Sequence, residues 1–486
     1  MKLLFIDIDT MRPDHMSCYG YNRTTTPNID QVANDGIRFN RYYCSDAPCL
    51  PSRAALMSGR FGIHNGAVGH GGTAGDMALM GKDRGFVSQY DEHCFHALFR
   101  KAGMKTVSIS TFPERHSSYW FSAFCNETYN VGGQGMESGE KVIPVALDWL
   151  KRNKDVEDWY LHVHFWDPHT PYRAPAEFGN PFENEPLNVF VDEGILEEHK
   201  KHGGPHGVNE INMWNDNTDP MYPRHPGKIT NMKDLKRFFD GYDTGILYAD
   251  SLVGQIIDEL KAQGIYDETA IIVTSDHGEN MGELAIYGEH GTADQPTCHI
   301  PMILKWPNGP KNAVDDAFHY NLDLVPTMAD LLGLEKWEKW DGNSYAETIL
   351  EGKTCGREHL VVSQMAHVCQ RSAIFGDWLY IRTYHDGYHL FDDEMLFNLK
   401  DDPYEQDDVK EQYPEKCAIG AKIILDFVDK NMKNSDQIVD PLWRIMSEGG
   451  PHHAHSNNVD INKFLQRLET TGRQEQAYSI RQKYSL

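Results

Sequence analysis

Five short and almost wholly apolar runs, at 3–8, 106–109, 160–165, 270–274 and 302–304, constrain the fold more than any other feature of the chain. Each has the length of a strand, and a strand that does not alternate polar with apolar residues is covered on both faces. Helical periodicity lies between several of the runs. It is plainest at about 235–263, where Ile246, Leu247, Leu252, Val253, Ile256, Ile257 and Leu260 recur at helical spacing before Gly264 stops the pattern. Strands and helices in this arrangement predict an α/β sheet. In open parallel sheets, residues just past the carboxyl ends of strands line the ligand crevice. LLFIDI delivers Asp9 to such a position and AIIVTS delivers Asp276 and His277, so these side chains are expected to converge although far apart in sequence.

At 486 residues the chain exceeds the size at which one core stops growing, so a large domain with a smaller one attached is expected. Residues 178–231 are rich in Pro, Gly, Asn and His and read as long loops at a site rim, or an insertion. After about 363 the pattern shifts to strand candidates at 372–375, 378–383 and 389–391, then a helical stretch at 415–432. The division predicted is a catalytic domain at 1–362, an α+β subdomain at 363–435, and an extension at 436–486 suited to embracing a neighbouring subunit in a homo-oligomer. A net charge of −26, from 46 basic and 72 acidic side chains, disfavours nucleic acid or an anionic membrane as partner. No apolar run is long enough to span a bilayer, and Asp7 interrupts the start after only four apolar residues, which is too short for a secretory signal core. Nine cysteines, an odd number without CxxC pairs, point to free thiols in a reducing cytoplasm and leave room for one with a chemical task.

The segment CSDAPCLPSRAALMSGR places Cys49, Pro51, Ser52 and Arg53 in the pattern C-x-P-S-R, followed by Ser58, Gly59 and Arg60. Four fixed positions at roughly one in twenty each make a chance match in this chain an event of about a few per thousand. The bland alternative is a buried cysteine opening a helix behind an ordinary Pro-Ser cap. The segment resembles the signature of the type I sulfatases. DTMRPDHMSCYG at 9–20, WDPHTPY at 166–172, SDHGE at 275–279, IPMILKWP at 300–307 and LFNLKDDPYEQDD at 396–408 resemble further family segments in family order. The resemblance implies an alkaline-phosphatase-like α/β domain, with a mixed, mainly parallel sheet flanked by helices and a small C-terminal sheet. It also implies a divalent metal and a formylglycine made from Cys49 by a dedicated maturation enzyme.

The implied chemistry gives each matched residue a role. A sulfate ester is an anion that repels an anionic attacker, so a metal and fixed cations must neutralise it. The hydrated aldehyde derived from Cys49 attacks sulfur with one hydroxyl and expels sulfate with the other. Arg53 holds the nucleophile's oxygen and the sulfate. Asp9, Asp276, His277 and the modified side chain of Cys49 match the metal-ligand positions. Hard oxygen ligands indicate calcium, with magnesium or manganese as alternatives, the latter favoured by an imidazole where many sulfatases have Asn. Thr10, where many have a second Asp, together with the Asp-His pair resembles the branch of choline sulfatases and phosphonate monoester hydrolases. His169 matches the family's histidine segment and is expected to protonate the leaving oxygen. The family's G-K-x-H segment is replaced by STFPERH, making Thr111, Arg115 and His116 the candidates there. The usual sulfate-binding Lys is replaced near Glu289 and His290, of which His290 is the expected substitute. His64 and His70 lie in the loop after the signature helix and are candidates to approach the substrate. A sulfated mono- or oligosaccharide is the expected substrate, with aryl or alkyl sulfates next. A phosphonate monoester or phosphodiester hydrolase is the second reading. A catalytically silent metal-binding protein, with Cys49 unmodified, is the third.

Overall fold

The computed structural model describes residues 1–78, 89–202, 204–452 and 460–486. In chain order its strands are β1 (Lys2–Ile8), β2 (Ile37–Tyr43), β3 (Asp46–Ala47), β4 (Lys105–Ile109), β5 (Glu127–Tyr129), β6 (Trp159–Phe165), β7 (Thr269–Thr274), β8 (Asn280–Met281), β9 (Tyr287–Glu289), β10 (Met302–Lys305), β11 (Ala313–Tyr320), β12 (His359–Gln364), β13 (Cys369–Phe375), β14 (Trp378–His385) and β15 (Glu394–Asn398). The large sheet has the order β11-β2-β10-β7-β1-β6-β4-β5. Its β7, β1, β6, β4 and β5 run parallel, β2 and β11 pair parallel, and only β10 is reversed against both neighbours. The predicted mixed, mainly parallel sheet is thus present, and all five apolar runs are strands within it.

The central strand shows why those runs lack alternation. In β1, Leu3 and Phe5 join one hydrophobic cluster while Leu4, Ile6 and Ile8 join the cluster on the other face. The same period of two puts Asp7 on the Leu3 and Phe5 side, buried to 4% exposure. The long predicted helix spans Met232–Ala262, capped by the Asn231 side chain, which accepts from the amides of Lys233 and Asp234. Its Ile246, Val253, Ile256 and Leu260 cover the Leu4 face.

The small sheet has the order β15-β14-β13-β12-β3. Its helix Pro414–Lys433 approaches β14 so closely that a Cβ on Gly420 would lie 2.4 Å from Tyr380 Cβ. Two expectations need correction here. Residues 389–391 form no strand, because Tyr388 and Leu390 sit at φ of 72° and 62°, a left-handed turn; the fourth antiparallel strand is β15 instead. The boundary drawn at 362/363 falls inside β12, which hydrogen-bonds to β13 on one side and to β3 on the other. The small sheet is thereby joined to the segment just before Cys49. The extension also packs on its own chain. Helices Ile461–Thr470 and Gln474–Tyr484 bury Phe464, Leu465, Leu468, Ala477 and Ile480 together with Met213, Trp214, Tyr388 and Leu390 of the same chain. Among the described residues, no helix is long and apolar enough to cross a membrane.

Candidate active site

The site forms where β1, β6 and β7 end. Past β1 the chain turns sharply at Thr10, held at φ of 57° with its amide 3.3 Å from Asp276 Oδ1 and its carbonyl accepting from Tyr242 at 2.6 Å. This turn leaves Asp9 fully buried, with both carboxylate oxygens accepting no hydrogen bond. Asp276 and His277 follow β7, which pairs with β1, so the sheet register alone brings the acids together. Cys49 opens the buried helix Cys49–Ser58, which ends at Gly59 in the left-handed conformation (φ 67°). The helix is fixed to the β7 turn by Ser52 Oγ, which donates to the Asp276 carbonyl at 2.6 Å. Its positive end therefore faces the acidic crevice.

Within this frame Cys49 Sγ is 3.0 Å from His277 Nε2, and Asp276 Oδ2 is 3.3 Å from the same nitrogen. His277 Nδ1 donates to the Gly278 carbonyl at 2.8 Å, which leaves Nε2 as the ligand-side nitrogen. Asp9 Oδ1 stands 4.0 Å from both His277 Nε2 and His169 Nε2. Arg53 reaches Asp7 at 3.0 Å, Asp9 at 3.2 Å, His164 at 2.8 Å, and also Asp276. Its guanidinium lies over the rings of Phe112 and Trp166. Burial would raise the Asp9 carboxyl, but Arg53 and the surrounding imidazoles outweigh it and hold the group well below the usual range. Burial dominates at Asp276, and with Asp9 and Asp7 nearby its carboxyl is pushed up. Burial, reinforced by Asp9 and Asp276, also pushes the Cys49 thiol up, and burial pushes His277 down to about 3.

The remaining predicted residues divide. His169 is buried, donates from Nδ1 to the Thr170 carbonyl at 2.6 Å and turns Nε2 toward Asp9. The His290 ring lies 4.2 Å from that of His277 and 5.5 Å from that of His169. The rings of His116 and His70 lie 4.9 Å apart on the same side, with His70 6.5 Å from His290. Arg115 is exposed and lies over the Trp166 ring at 5.3 Å, at the rim. Thr111 is buried, donates to Glu137 and accepts from Trp166 Nε1 at 3.0 Å, so its hydroxyl proton is committed to the protein. His64 is not at the site: its Nδ1 is 2.7 Å from Asp341 and its Nε2 3.0 Å from the Asn431 carbonyl, which ties the loop to the Pro414–Lys433 helix.

Sequence reasoning passed over several members. His162 and His164 face the site from β6 beside Phe5 and Asp7 of β1, with Ser108 and Ser110 each 2.9 Å from the Nδ1 behind them. Two histidines spaced by two in an otherwise apolar strand were a legible signal. Asp7 belonged to the same pattern. Glu279 closes the SDHGE segment, whereas His206 and His367 carry no local signal, since tertiary structure alone brings them to Glu289 and His290.

A family model described as "Sulfatase" matches residues 2–334. An N-acetylglucosamine-6-O-sulfatase of Bacteroides thetaiotaomicron is 24% identical, covering 90% of this chain and 87% of its own. A choline-sulfatase of Rhizobium meliloti is 26% identical, covering 78% and 76%. Among solved structures, a protein in complex with its substrate D-glucosamine-2-N,6-O-disulfate superposes with a TM-score of 0.69 at 19% identity, covering 90% of this chain and 98% of the other. A phosphonate monoester hydrolase from Silicibacter pomeroyi gives 0.68 at 19% identity, covering 90% and 96%.

Proposed function

Since the chain belongs to the sulfatase family and is thereby a sulfuric ester hydrolase, we propose that it cleaves a sulfated saccharide with a formylglycine made from Cys49 by a maturation enzyme. One observation carries this reading: Cys49 is buried at the start of its helix, 3.0 Å from His277, beside Asp9 and Asp276 and within the reach of Arg53. An unmodified thiol has no geminal hydroxyl with which to expel sulfate, whereas a hydrated aldehyde has one hydroxyl to attack and a second to collapse.

The donor set Asp9, Asp276, His277 and the residue-49 side chain fits a divalent ion, since its ligand atoms lie within 4.8 Å of one another and both Asp9 oxygens accept no hydrogen bond. Calcium is the first candidate, with manganese or magnesium as alternatives. When bound, the ion would neutralise the sulfate and polarise its oxygens. The protein's own groups do the rest. Arg53, permanently charged and held from four directions, fixes the orientation of the nucleophile and one sulfate oxygen. His169 keeps its Nδ1 proton on the Thr170 carbonyl, so Nε2 is the nitrogen that faces the leaving oxygen and, once it has taken a proton from water to form the imidazolium, passes that proton on. His277 and Asp276 hold position 49 in place. The relatives that act on amino-sugar sulfates support the saccharide assignment. A cytoplasmic address belongs to the same reading and is supported by nine cysteines without a disulfide.

The test is the mass of the Cys49 peptide together with turnover of sulfated sugars. Modification lowers the peptide by about 18 mass units, and Cys49→Ala loses turnover of a panel of sulfated monosaccharides. Active enzyme with an intact thiol refutes the reading. A second reading, phosphonate monoester hydrolysis, is favoured by Thr10 beside Asp9, the Asp276-His277 pair and the likeness to the Silicibacter enzyme. Faster turnover of a phenyl phosphonate monoester than of nitrophenyl sulfate would select it.

A further inference from the structure

Beside the residue-49 centre, three imidazole nitrogens converge on one carboxylate. Glu289 Oε1 lies 3.0 Å from His290 Nε2 and 3.6 Å from His367 Nε2, and Glu289 Oε2 lies 3.4 Å from His206 Nε2. The ligand atoms of Glu289, His290 and His367 all fall within 4.8 Å of one another. Three separate parts of the chain supply these residues: the end of β9 with the residue that follows it, the loop between β12 and β13, and the long loop preceding the Met232–Ala262 helix. In a tetrahedral site with metal bonds of about 2.0–2.1 Å, neighbouring ligand atoms are separated by about 3.4 Å. The observed separations bracket that edge.

The far side of two of the rings is also held. His206 Nδ1 donates to the Ile211 carbonyl at 3.3 Å, which leaves its Nε2 lone pair on the Glu289 side. His290 Nδ1 faces the Glu279 carboxylate at 3.9 Å. Glu279 is fully buried and neither of its oxygens accepts a hydrogen bond. A carbonyl or carboxylate behind each imidazole is the support that metal-bound histidines have.

We propose that Glu289, His290 and His367 form a second metal site that takes a transition ion of the zinc class, with His206 bracing the other Glu289 oxygen. Imidazole and carboxylate donors suit such an ion better than calcium. The site shares no residue with the set of Asp9, Cys49, Asp276 and His277, yet His290 also lies within 4.8 Å of Cys49 and His277. An ion there places a second positive charge beside the reacting group, in a protein of net charge −26 whose sequence lacks the lysines expected near the anion.

The experiment uses the full chain, stripped with a chelator, loaded with zinc and passed through gel filtration before its zinc is counted. His367→Ala and the nearly isosteric Glu289→Gln are each expected to lose one equivalent relative to the parent protein. Asp9→Asn reports on the residue-49 centre separately, and Asp9→Asn combined with His367→Ala loses both equivalents. Loading with cobalt gives a second readout, because the visible absorption of a tetrahedral imidazole site is expected in the parent and weakened in Glu289→Gln. If both single variants keep the parent's zinc content, the four residues are only an ionic imidazolium and carboxylate cluster, and the proposal falls. If Asp9→Asn alone keeps it, the residue-49 centre does not take zinc and the second site stands.

Discussion

Arg53 touches Asp7, Asp9, Asp276 and His164 from a position of 1% exposure, so at this residue shape matters as much as charge. Lysine keeps the charge but has one compact ammonium in place of a planar fork. Arg53→Lys is expected to lower kcat by about a hundredfold or more while lowering the melting temperature, because buried carboxylates lose their partner. Steady-state kinetics beside a melting curve check both, and near-parental kcat would remove Arg53 from the reaction. His169 makes a different prediction. As donor to the leaving oxygen, its replacement in His169→Gln should reduce kcat by roughly 10²–10⁴ for an alkyl or sugar sulfate. A nitrophenyl sulfate, whose leaving group needs little protonation, should lose far less. Equal losses on both substrates would leave His169 a structural residue.

At the scale of elements, the C-terminal hairpin and the 206–216 loop are bound through Glu210. That buried carboxylate receives Arg467 Nε at 2.8 Å and Arg473 Nη1 at 2.9 Å. Removing one partner of a buried ion pair costs about 3–5 kcal/mol. Arg473→Met should therefore lower stability in chemical denaturation and, because the same loop carries His206, raise KM more than it lowers kcat. The helix Pro27–Asn34 supplies a pH-dependent case. Asp250, from the long helix, accepts from the amides of Asn28 and Ile29 at 3.1 and 2.8 Å, and burial pushes its carboxyl up to about 7. The folded state thus holds this proton more tightly than the unfolded chain. Its stabilising contribution is complete below about pH 4 and is lost as pH rises to about 7. Asp250→Asn cannot ionise and keeps a carbonyl acceptor, so between about pH 4.5 and 7.5 its stability should gain about 1–3 kcal/mol relative to the parent. A constant difference across that range would refute the assignment.

For the molecule as a whole, the net charge of −26 surrounds an anion site whose cations are local. A long sulfated polysaccharide meets the whole field, whereas a monosulfated sugar mainly meets the crevice. Raising ionic strength from about 20 to 150 mM should increase kcat/KM several-fold for the polymer and change it less than about twofold for the monosaccharide. Equal salt dependence would mean that the acidic surface does not select substrate size.

The apolar runs determined the central strands and the class of the sheet, and with the C-x-P-S-R segment they pointed to Cys49, Arg53, Asp9, Asp276 and His277, which the fold brings together. These are local signals: a buried strand must be apolar on both faces, and the residues just past its carboxyl end must line the crevice. Of the small sheet, β13 and β14 were legible; β3, β12 and β15 were not, and at 389–391 two left-handed residues override the apolar pattern. His162 and His164 could have been found from their spacing. Only the tertiary structure decided that Thr111 serves Trp166, that His64 braces a helix, that the extension clamps its own chain, and that Glu289 gathers His206, His290 and His367. Those outcomes depend on loop paths between distant segments, and loop closure leaves no periodicity in the sequence to read.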